Sequence, residues 1–285
     1  MEIDINTILD ALKRPELQEY FNSYVRSNSF NYDSMQMAYN DSVKLYGIIS
    51  QYITLKNDSV SIEIGCGFGW ILARFSKVSR MRVGVDINFN AALTAKKAIE
   101  GKINNHYFIN ASADHLPFKE NTADLIYSTA VLEHVTNIEE GVCEIHRVLK
   151  HGGKTFNVCQ NIYWYYEPHL RSYLLAFLPK KIYRLILSAQ NKHNEIKLLD
   201  SLVIFGQGYI FKMMRNIGYV NIKNIFIDHI QKKFTNPELV NNSTLKKMIK
   251  ILNFFKISNF IISLWKIFYI ADIMFLYAEK KEMSK

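Results

Sequence analysis

The sequence predicts an α/β fold: a doubly wound, mostly parallel sheet with helices on both faces. Between residues 55 and 160, five short strand-like runs alternate with amphipathic helical segments; the first run ends at Gly65 and the second at Asp86. Such alternation implies parallel crossover connections. The flanking segments have a different texture, so three regions are predicted: a helical cap over 1–54, the core over 55–160, and a helical insertion with the last strands of the sheet over 161–285.

The predicted elements follow the chain in order. Apolar residues recur at helical spacing through 5–54, and Asn88 or Asn90 is available to cap the second core helix. Core strands are predicted at 60–64, 82–85, 106–109, 123–128 and 154–159, core helices at 70–78, 90–100 and 138–149, and a turn at Gly152-Gly153. Beyond the core we expect helices within 162–190, at 206–217 and between 237 and 270, and strands at 219–227 and 273–278.

The charge is unevenly distributed along the chain. Residues 1–153 carry 15 of the 35 Lys and Arg and 18 of the 26 Asp and Glu, which leaves a net charge of +12 for residues 154–285. A basic, aromatic half is typical of proteins that bind an anionic substrate or a membrane surface. A solvated lysine-rich face explains the same composition. The most apolar stretch, 257–278, is interrupted by Lys266 and Asp272, so no transmembrane span is predicted.

Other residue patterns narrow the class of protein. The three cysteines lie far apart without a CxxC pair, and the acidic N-terminus does not resemble a signal peptide. We therefore expect a cytoplasmic protein, with peripheral contact at the inner membrane face left open. The eight histidines contain no HExxH and no paired metal spacing, so no metal site is expected.

The strongest local feature is the segment Glu63-Ile64-Gly65-Cys66-Gly67-Phe68-Gly69, directly after the first core strand. Glycines at this place permit a positive φ and let a ligand approach the backbone without meeting a Cβ. Open α/β sheets bind ligands at the carboxyl ends of their strands. The spacing is GxGxG rather than the GxGxxG of dinucleotide-binding proteins, because Trp70 follows Gly69. Taken alone, the segment also fits a purely structural turn.

Asp86 closes the second core strand, 21 residues after Gly65. A carboxylate at this place can accept hydrogen bonds from both ribose hydroxyls of an adenosine. Ile87, the next residue, could lie against one face of the adenine ring. The alternative is an aspartate that caps the following helix.

Two later segments complete a recognisable series: Ala113-Asp114-His115-Leu116-Pro117-Phe118 and the run DLIYSTAVLEH over 124–134. Together with EIGCGFG, VDIN and HRVLKHGG, they resemble class I S-adenosylmethionine-dependent methyltransferases of the methyltransferase-11-like, UbiE-like type. The resemblance spans 59–154, in order and at the usual spacing. It implies a Rossmann-like, seven-stranded fold with an N-terminal helical lid, and an enzyme that uses S-adenosylmethionine and releases S-adenosylhomocysteine.

The resemblance assigns cofactor-binding residues position by position. Glu63 and the glycine backbone would hold the methionine end, Asp86 the ribose, Ala113 the adenine, and Thr129 or Ala130 the methionine amino group. The complete predicted set is Glu63, Gly65, Cys66, Gly67, Gly69, Asp86, Ile87, Ser112, Ala113, Asp114, Thr129 and Ala130. Ser112 stands where the family usually has Asp, so a weaker contact with the adenine amino group is expected. Cys66 is expected to be a small filler rather than a nucleophile.

Methyl transfer to a hydroxyl needs a base, for which a histidine near neutral pKa is suited. The candidates are His134, after the fourth core strand, and His169, after the fifth; His134 could instead cap its helix or pack under it. Residues 161–179 are similar to segments of methyltransferases found with surface-polysaccharide enzymes. That similarity implies an acceptor pocket formed by Tyr163, Trp164, Tyr166 and Arg171, whereas an aromatic patch that packs inserted helices fits equally well. The family architecture also implies an N-terminal lid, with Tyr20, Tyr24 and Tyr39 facing inward.

The predicted function is methyl transfer to a small-molecule or glycan acceptor, foremost O-methylation of a sugar or polysaccharide precursor that the basic half would attract. One alternative is methylation of a quinone or lipid at the membrane surface, with 245–270 as an interfacial helix. Another is a non-catalytic protein that binds S-adenosylmethionine or RNA. No RNA-binding aromatic motif supports the RNA alternative. The run SerThrAlaVal after the fourth core strand, where an Asn/Asp-Pro-Pro-aromatic motif would stand, argues against nucleic-acid methylation.

Overall fold

The computed structural model describes residues 15, 32–75, 79–99, 104–160, 166–167, 172–173, 179–201, 203, 205–240, 243–268 and 273–283. These residues form a seven-stranded sheet of order β3-β2-β1-β4-β5-β9-β8, in which β9 alone runs antiparallel to its neighbours. The strands are β1 Val60–Ile64, β2 Met81–Asp86, β3 His106–Asn110, β4 Ala123–Thr129, β5 Leu149–Gln160, β8 Tyr219–Asn224 and β9 Ile273–Lys280. The predicted mostly parallel, seven-stranded Rossmann-like sheet is thereby confirmed.

Ten helices are found among the described residues, on both faces of the sheet. They are α1 Tyr32–Tyr52, α2 Trp70–Arg74, α3 Phe89–Ile99, α4 Ile138–Val148, α5 Lys180–Ala189, α6 His193–Ser201, α7 Gln207–Ile217, α8 Ile225–Thr235, α9 Ser243–Phe254 and α10 Ser258–Phe268. Side-chain caps define where two of them begin: Asn88 Oδ1 accepts the Ala91 N–H of α3 at 3.2 Å, and Asn137 Oδ1 accepts the Glu140 N–H of α4 at 3.3 Å.

Two apolar clusters hold the helices to the sheet. On one face, residues of α1, α2 and α8 (Ile49, Leu72 and Ile225) pack against the buried Tyr127 and Phe156. On the other face, the apolar sides of α4 and α7 cover β1 and β4; the contributing residues are Ile62, Ile126, Val142, Ile145, Ile210 and Met214. Burial of these side chains on both faces explains why the core strands read as continuous apolar runs.

The structure corrects three of the predicted elements. The strand predicted at 219–227 ends at Asn224, because that side chain accepts the Phe226 N–H at 3.2 Å and caps α8. Gly152-Gly153 is not a turn between elements; both residues lie inside β5, where the pairing with β4 changes register. Within the segment predicted to be helical at 162–190, Tyr166–Glu167 (β6) and Ser172–Tyr173 (β7) pair as an antiparallel hairpin.

The N-terminal region is described only in part. Helix α1 packs on the core, and Arg74 Nε donates to Ser42 Oγ at 3.1 Å to join it to α2. Tyr20 and Tyr24 of the predicted lid lie outside the described residues, as does the side chain of Tyr39. The division into three regions and the lid therefore stay predictions. In the described part of the chain, every helix is too short or too polar to cross a bilayer.

Candidate active site

The loop after β1 is the centre of the candidate site. Three of its glycines have positive φ: Gly65 at 67°, Gly67 at 48° and Gly69 at 72°. The Gly65 N–H donates to Val85 O of β2 at 2.7 Å, and the Gly69 N–H closes the turn on Cys66 O at 2.7 Å. Because L-residues with a side chain rarely adopt this conformation, glycine is required to turn the chain so tightly from strand into helix.

Asp86, at the carboxyl end of β2, holds this loop in place. Its Oδ2 accepts the Gly67 N–H at 2.8 Å, and its Oδ1 accepts the Asn88 N–H at 2.8 Å. Partial burial raises the pKa of this carboxyl, although both backbone hydrogen bonds oppose the rise. Each carboxylate oxygen has a further lone pair, so the group can still accept two ligand hydroxyls. The sequence predicted a ligand contact here but not that Asp86 also positions the glycine loop.

Glu63 lies beneath the loop, 4% exposed, rather than on the ligand side. Its Oε2 accepts the Leu72 N–H of α2 at 2.8 Å and lies 3.3 Å from the hydroxyl of Tyr127. Burial raises the pKa of Glu63 to about 8. This carboxyl therefore stabilises the first turn of α2, and its predicted direct contact with the cofactor gains no support from the geometry.

Cys66 behaves as a small apolar residue. It is buried, and desolvation raises the pKa of its thiol well above the usual range, which disfavours the nucleophilic thiolate. A Cβ on the neighbouring Gly84 would lie 2.7 Å from the Cys66 Sγ. The cysteine thus fills the space that Gly84 leaves, as the sequence predicted.

The ends of β2 and β3 form one side of the candidate site. Ile87 follows Asp86 and leaves 76% of its surface exposed, an unusual position for a large apolar side chain. Beyond β3, the carboxylate of Asp114 accepts a hydrogen bond from the Ser112 side chain, which is the largest cause of the lowered pKa of Asp114. Ala113 is buried between them. The Ser112 hydroxyl therefore faces Asp114, whose Oδ1 also lies 3.2 Å from His115 Nδ1; the sequence did not predict either interaction.

The end of β4 forms the opposite side. Buried Thr129 Oγ1 has no hydrogen-bond partner among the described residues, which is costly unless a bound molecule supplies one. The next residue, Ala130, has a positive φ of 54° that is rare for alanine. Val131 then lies over the glycine loop, so close that a Cβ on Gly65 would be 2.2 Å from its Cγ2. The loops after β1 and β4 are therefore in direct contact.

His134 ends a short 3₁₀ helix, Leu132–His134, and its side chain is exposed on the rim of the same sheet edge. Packing beneath the helix is therefore wrong for His134, whereas capping of the helix stays a prediction. The neighbouring Glu133 is buried, and its carbonyl accepts the Val203 N–H at 2.7 Å. This burial could not be predicted, because an acidic residue between Leu and His is expected to have an exposed side chain.

Most residues predicted to bind the acceptor lie outside the part of the chain that the structure describes. Those that lie outside it are Tyr163, Trp164, His169 and Arg171. Tyr166 lies in β6, but its side chain is not described. A groove of about 560 Å³ is lined by none of the predicted site residues but by Tyr52, Asp228, Gln231, Lys232, Thr235 and Asn236. The described residues contain no group of three or more His, Cys, Asp and Glu placed to hold a metal ion.

The residues present fit S-adenosylmethionine. The carboxyl ends of β1, β2 and β4 are adjacent, since Ile64 pairs with both Val85 and Ser128. This adjacency brings together three groups: the Asp86 carboxylate, which suits a ribose; the exposed Ile87 side chain, which suits an adenine; and the Thr129 hydroxyl, which suits a polar group. Such placement at the carboxyl edge is where open α/β sheets bind ligands.

Comparison with known proteins agrees with this geometry. Residues 62–157 match the family described as a methyltransferase domain. The ubiquinone/menaquinone biosynthesis C-methyltransferase UbiE of Blochmanniella pennsylvanica is 29% identical over 161 residues, which cover 51% of this chain and 63% of that protein. The malonyl-[acyl-carrier protein] O-methyltransferase of Buchnera aphidicola is 28% identical over 106 residues, which cover 37% and 41% respectively. The chain thus spans less than two thirds of the length of these relatives.

A solved structure extends the likeness to the fold. The Haemonchus contortus phosphoethanolamine N-methyltransferase 2 in complex with S-adenosyl-L-methionine matches with a TM-score of 0.55 at 17% identity, over 96% of this chain and 60% of that one. The predicted subgroup associated with surface polysaccharides stays a prediction. Residues 62–157 match a methyltransferase domain, which supports the predicted class I S-adenosylmethionine-dependent methyltransferase for that part of the chain.

Proposed function

We propose that this chain is an enzyme that transfers the methyl group of S-adenosylmethionine to a small-molecule acceptor. The observation that carries the proposal is the convergence of the Asp86 carboxylate, the positive-φ glycine loop and the buried Thr129 hydroxyl at one edge of the sheet. A purely structural turn would not need the exposed Ile87 or leave Thr129 Oγ1 without a hydrogen bond.

The residues that would bind the donor already hold one another in place through hydrogen bonds. Asp86 would accept the ribose hydroxyls while it keeps its bonds to Gly67 and Asn88. Ile87 would cover one face of the adenine, and the Ser112–Asp114 segment would lie along its polar edge, with the Asp114 carboxylate supplying the charge that Ser112 lacks. Thr129 would bind the amino group of the methionine end. In this proposal Glu63 is a positioning residue.

When bound, S-adenosylmethionine supplies an electrophilic methyl group on a sulfonium. The residues of this chain then have to orient the acceptor and exclude water, effects that can contribute roughly 7–11 kcal/mol to catalysis. If the acceptor is a hydroxyl, His134 on the rim would take its proton as the nucleophile forms the new bond. His169 stays a second candidate for this role.

The proposed acceptor is a sugar or polysaccharide precursor, methylated on oxygen. The supporting features are the net charge of +12 over 154–285 and the aromatic residues of 161–179. A second candidate is a quinone or other lipid, favoured by the name of the Blochmanniella relative and by an apolar helical surface considered below.

Donor binding can be tested with Asp86→Ala and calorimetric titration of S-adenosylhomocysteine. The variant loses two backbone hydrogen bonds to a charged group as well as the ribose contact, each worth about 1.5–3 kcal/mol. We expect at least a hundredfold weaker binding. The matched control is Asp58→Ala, which removes an exposed carboxylate from the turn before β1 and should leave affinity unchanged. Equal affinity of wild type and Asp86→Ala would refute the proposed donor site.

The acceptor can be identified by incubating the protein and S-adenosylmethionine with nucleotide sugars, glycans and quinones. Mass spectrometry would then detect the gain of one CH₂ in a product. A methylated sugar would support the first candidate and a methylated quinone the second. If wild type binds the donor and methylates none of them, a non-catalytic role becomes the better explanation.

A further inference from the structure

Helices α9 and α10 expose a continuous series of large apolar side chains. In α9, Leu245, Met248, Ile251 and Phe254 recur at a spacing of three residues, so these exposed apolar side chains wind around the helix by about 60° per step. Phe254 is 81% exposed, and Phe255 and Phe260, which continue the series into α10, are each 63% exposed. At roughly 200 Å² per large side chain, the exposed fractions amount to several hundred Å² of apolar surface, more than a monomer ordinarily leaves in water.

The opposite side of the same helices holds them to the protein. Ile249 and Ile262 are buried, and Asn253 Nδ2 donates to Phe234 O of α8 at 2.7 Å. Leu245 lies on the flank next to the buried Ile249, whereas Ile251 and Phe254 lie on the side of α9 that faces away from it. The helix is therefore anchored through one side and exposes apolar side chains on the other.

The charge of this surface is predominantly basic. Between residues 239 and 271 the sequence has five lysines and no acidic residue. Lys246 and Lys250 both bind Glu238, so one carboxylate serves two ammonium groups. Lys247 and Lys256 lie exposed beside the apolar side chains. Exposed apolar side chains flanked by lysines are the combination by which a helix lies in the interface of an anionic bilayer.

We propose that the surface formed by Leu245, Met248, Ile251, Phe254, Phe255 and Phe260, with the lysines beside it, docks on an anionic lipid bilayer. A second copy of the chain fits this surface less well, because two such faces would bring their lysines together. The docking does not depend on the proposed methyl transfer.

The position of the surface in the fold makes docking useful to a methyltransferase. Strand β9 follows α10 and begins at Ile273, which pairs with Gln160 at the carboxyl end of β5. The chain therefore returns from the proposed membrane face to the sheet edge that carries the candidate donor site. A quinone or a lipid-linked sugar held in the bilayer would be delivered toward that edge.

The test is co-flotation of the full-length protein with vesicles of phosphatidylcholine alone or with a large fraction of phosphatidylglycerol. Wild type should float with the anionic vesicles and much less with the neutral ones. Phe254→Ser combined with Phe255→Ser should lower the partition coefficient at least tenfold, because both side chains lose their burial in the acyl region. Lys247→Gln combined with Lys256→Gln should lower the partition coefficient about thirtyfold, at about 1 kcal/mol per lysine, and on anionic vesicles only.

The matched control is Tyr209→Ser, which removes an exposed aromatic side chain from α7 and should leave flotation unchanged. Circular dichroism and S-adenosylhomocysteine titration check that each variant is folded. Equal flotation with neutral and anionic vesicles, no flotation, or wild-type flotation of both double variants would overturn the proposal. A dimer in light scattering that the phenylalanine variant dissociates, or an RNA complex that it abolishes, would reassign the surface to that partner.

Discussion

Gly65→Ala tests whether the glycine loop has the geometry that the donor site requires. Its φ of 67° costs a residue with a Cβ about 1–2 kcal/mol. The added Cβ would also lie 2.2 Å from Val131 Cγ2, where an ordinary contact is about 3.5–4.0 Å. Relief of such an overlap by movement of the neighbouring loop costs typically 1–3 kcal/mol. The substitution should therefore lower the free energy of unfolding by about 2–5 kcal/mol.

A double-mutant cycle separates the two contributions. In a Val131→Ala background the overlap disappears but the positive φ stays, so Gly65→Ala should then cost only about 1–2 kcal/mol. Urea denaturation followed by circular dichroism measures all four proteins. Gly47→Ala is the control, because a Cβ there meets nothing within 4 Å and the residue lies inside α1. It should stabilise the protein by about 0.5–1 kcal/mol. An equal cost of Gly65→Ala in both backgrounds would show that the contact with Val131 is absent.

Three further predictions concern single residues. For Glu63, whose pKa rises from 4.5 to about 8 on folding, the folded state keeps a proton that the unfolded state releases, so its contribution to stability falls as pH rises between these values. At about 1.4 kcal/mol per pH unit, the loss of stability amounts to about 4–5 kcal/mol. When the free energy of unfolding is measured with urea from pH 5 to 9, it should depend less on pH for Glu63→Gln than for wild type. Parallel curves for the two proteins would contradict the raised pKa. Ala130→Gly should stabilise the protein by up to about 1 kcal/mol, because glycine adopts the positive φ of 54° without strain, and a lower melting temperature would count against that conformation. Once an acceptor hydroxyl is known, His134→Ala should lower kcat by about 10²–10⁴-fold with unchanged donor affinity. The control is His193→Ala, which replaces an exposed histidine of α6 and should leave kcat unchanged. Equal kcat values for wild type and His134→Ala would show that another residue is the base.

Most of the sheet could be predicted because its core strands are short, largely apolar runs, the first of which is followed by Gly65 and the second of which ends at Asp86. The predictions were wrong where one residue type is compatible with two structures. Gly152-Gly153 reads as a turn, but a Cβ on Gly153 would lie 2.8 Å from Lys150 O and 3.1 Å from Ala123 O, so glycine is needed to let β5 pass close to β4. In 219–227 the β-branched pattern continues past Asn224, and the cap that ends the strand depends on a side-chain hydrogen bond.

Some residues of the candidate site could likewise be predicted from the sequence, and others could not. Asp86 and the glycines could be found because they are adjacent in sequence to strand ends, where topology brings ligands. Three interactions could not be predicted: the burial of Glu63 against Tyr127, the contact of Val131 with Gly65 and the interaction of Ser112 with Asp114. The first two join residues far apart in the sequence, and the third depends on which of several nearby groups the Ser112 hydroxyl faces. Hydrophobic periodicity carries no information about such pairs, because it records which face a residue lies on and not what it meets there.

The two proposals assign donor binding and acceptor delivery to different parts of this chain. The proposed donor site is built from the loops after β1, β2, β3 and β4, in a half whose net charge is −3, and its Asp86 carboxylate is held by backbone N–H groups of these loops. The proposed membrane surface lies in the insertion between β8 and β9, where exposed lysines and phenylalanines do not contribute to the sheet. Substitutions at Phe254 or Lys247 should therefore change access to the acceptor while the affinity for S-adenosylhomocysteine stays constant, and substitutions at Asp86 should do the reverse. Because sites without shared contacts combine additively, a variant altered at both places should show the two losses side by side.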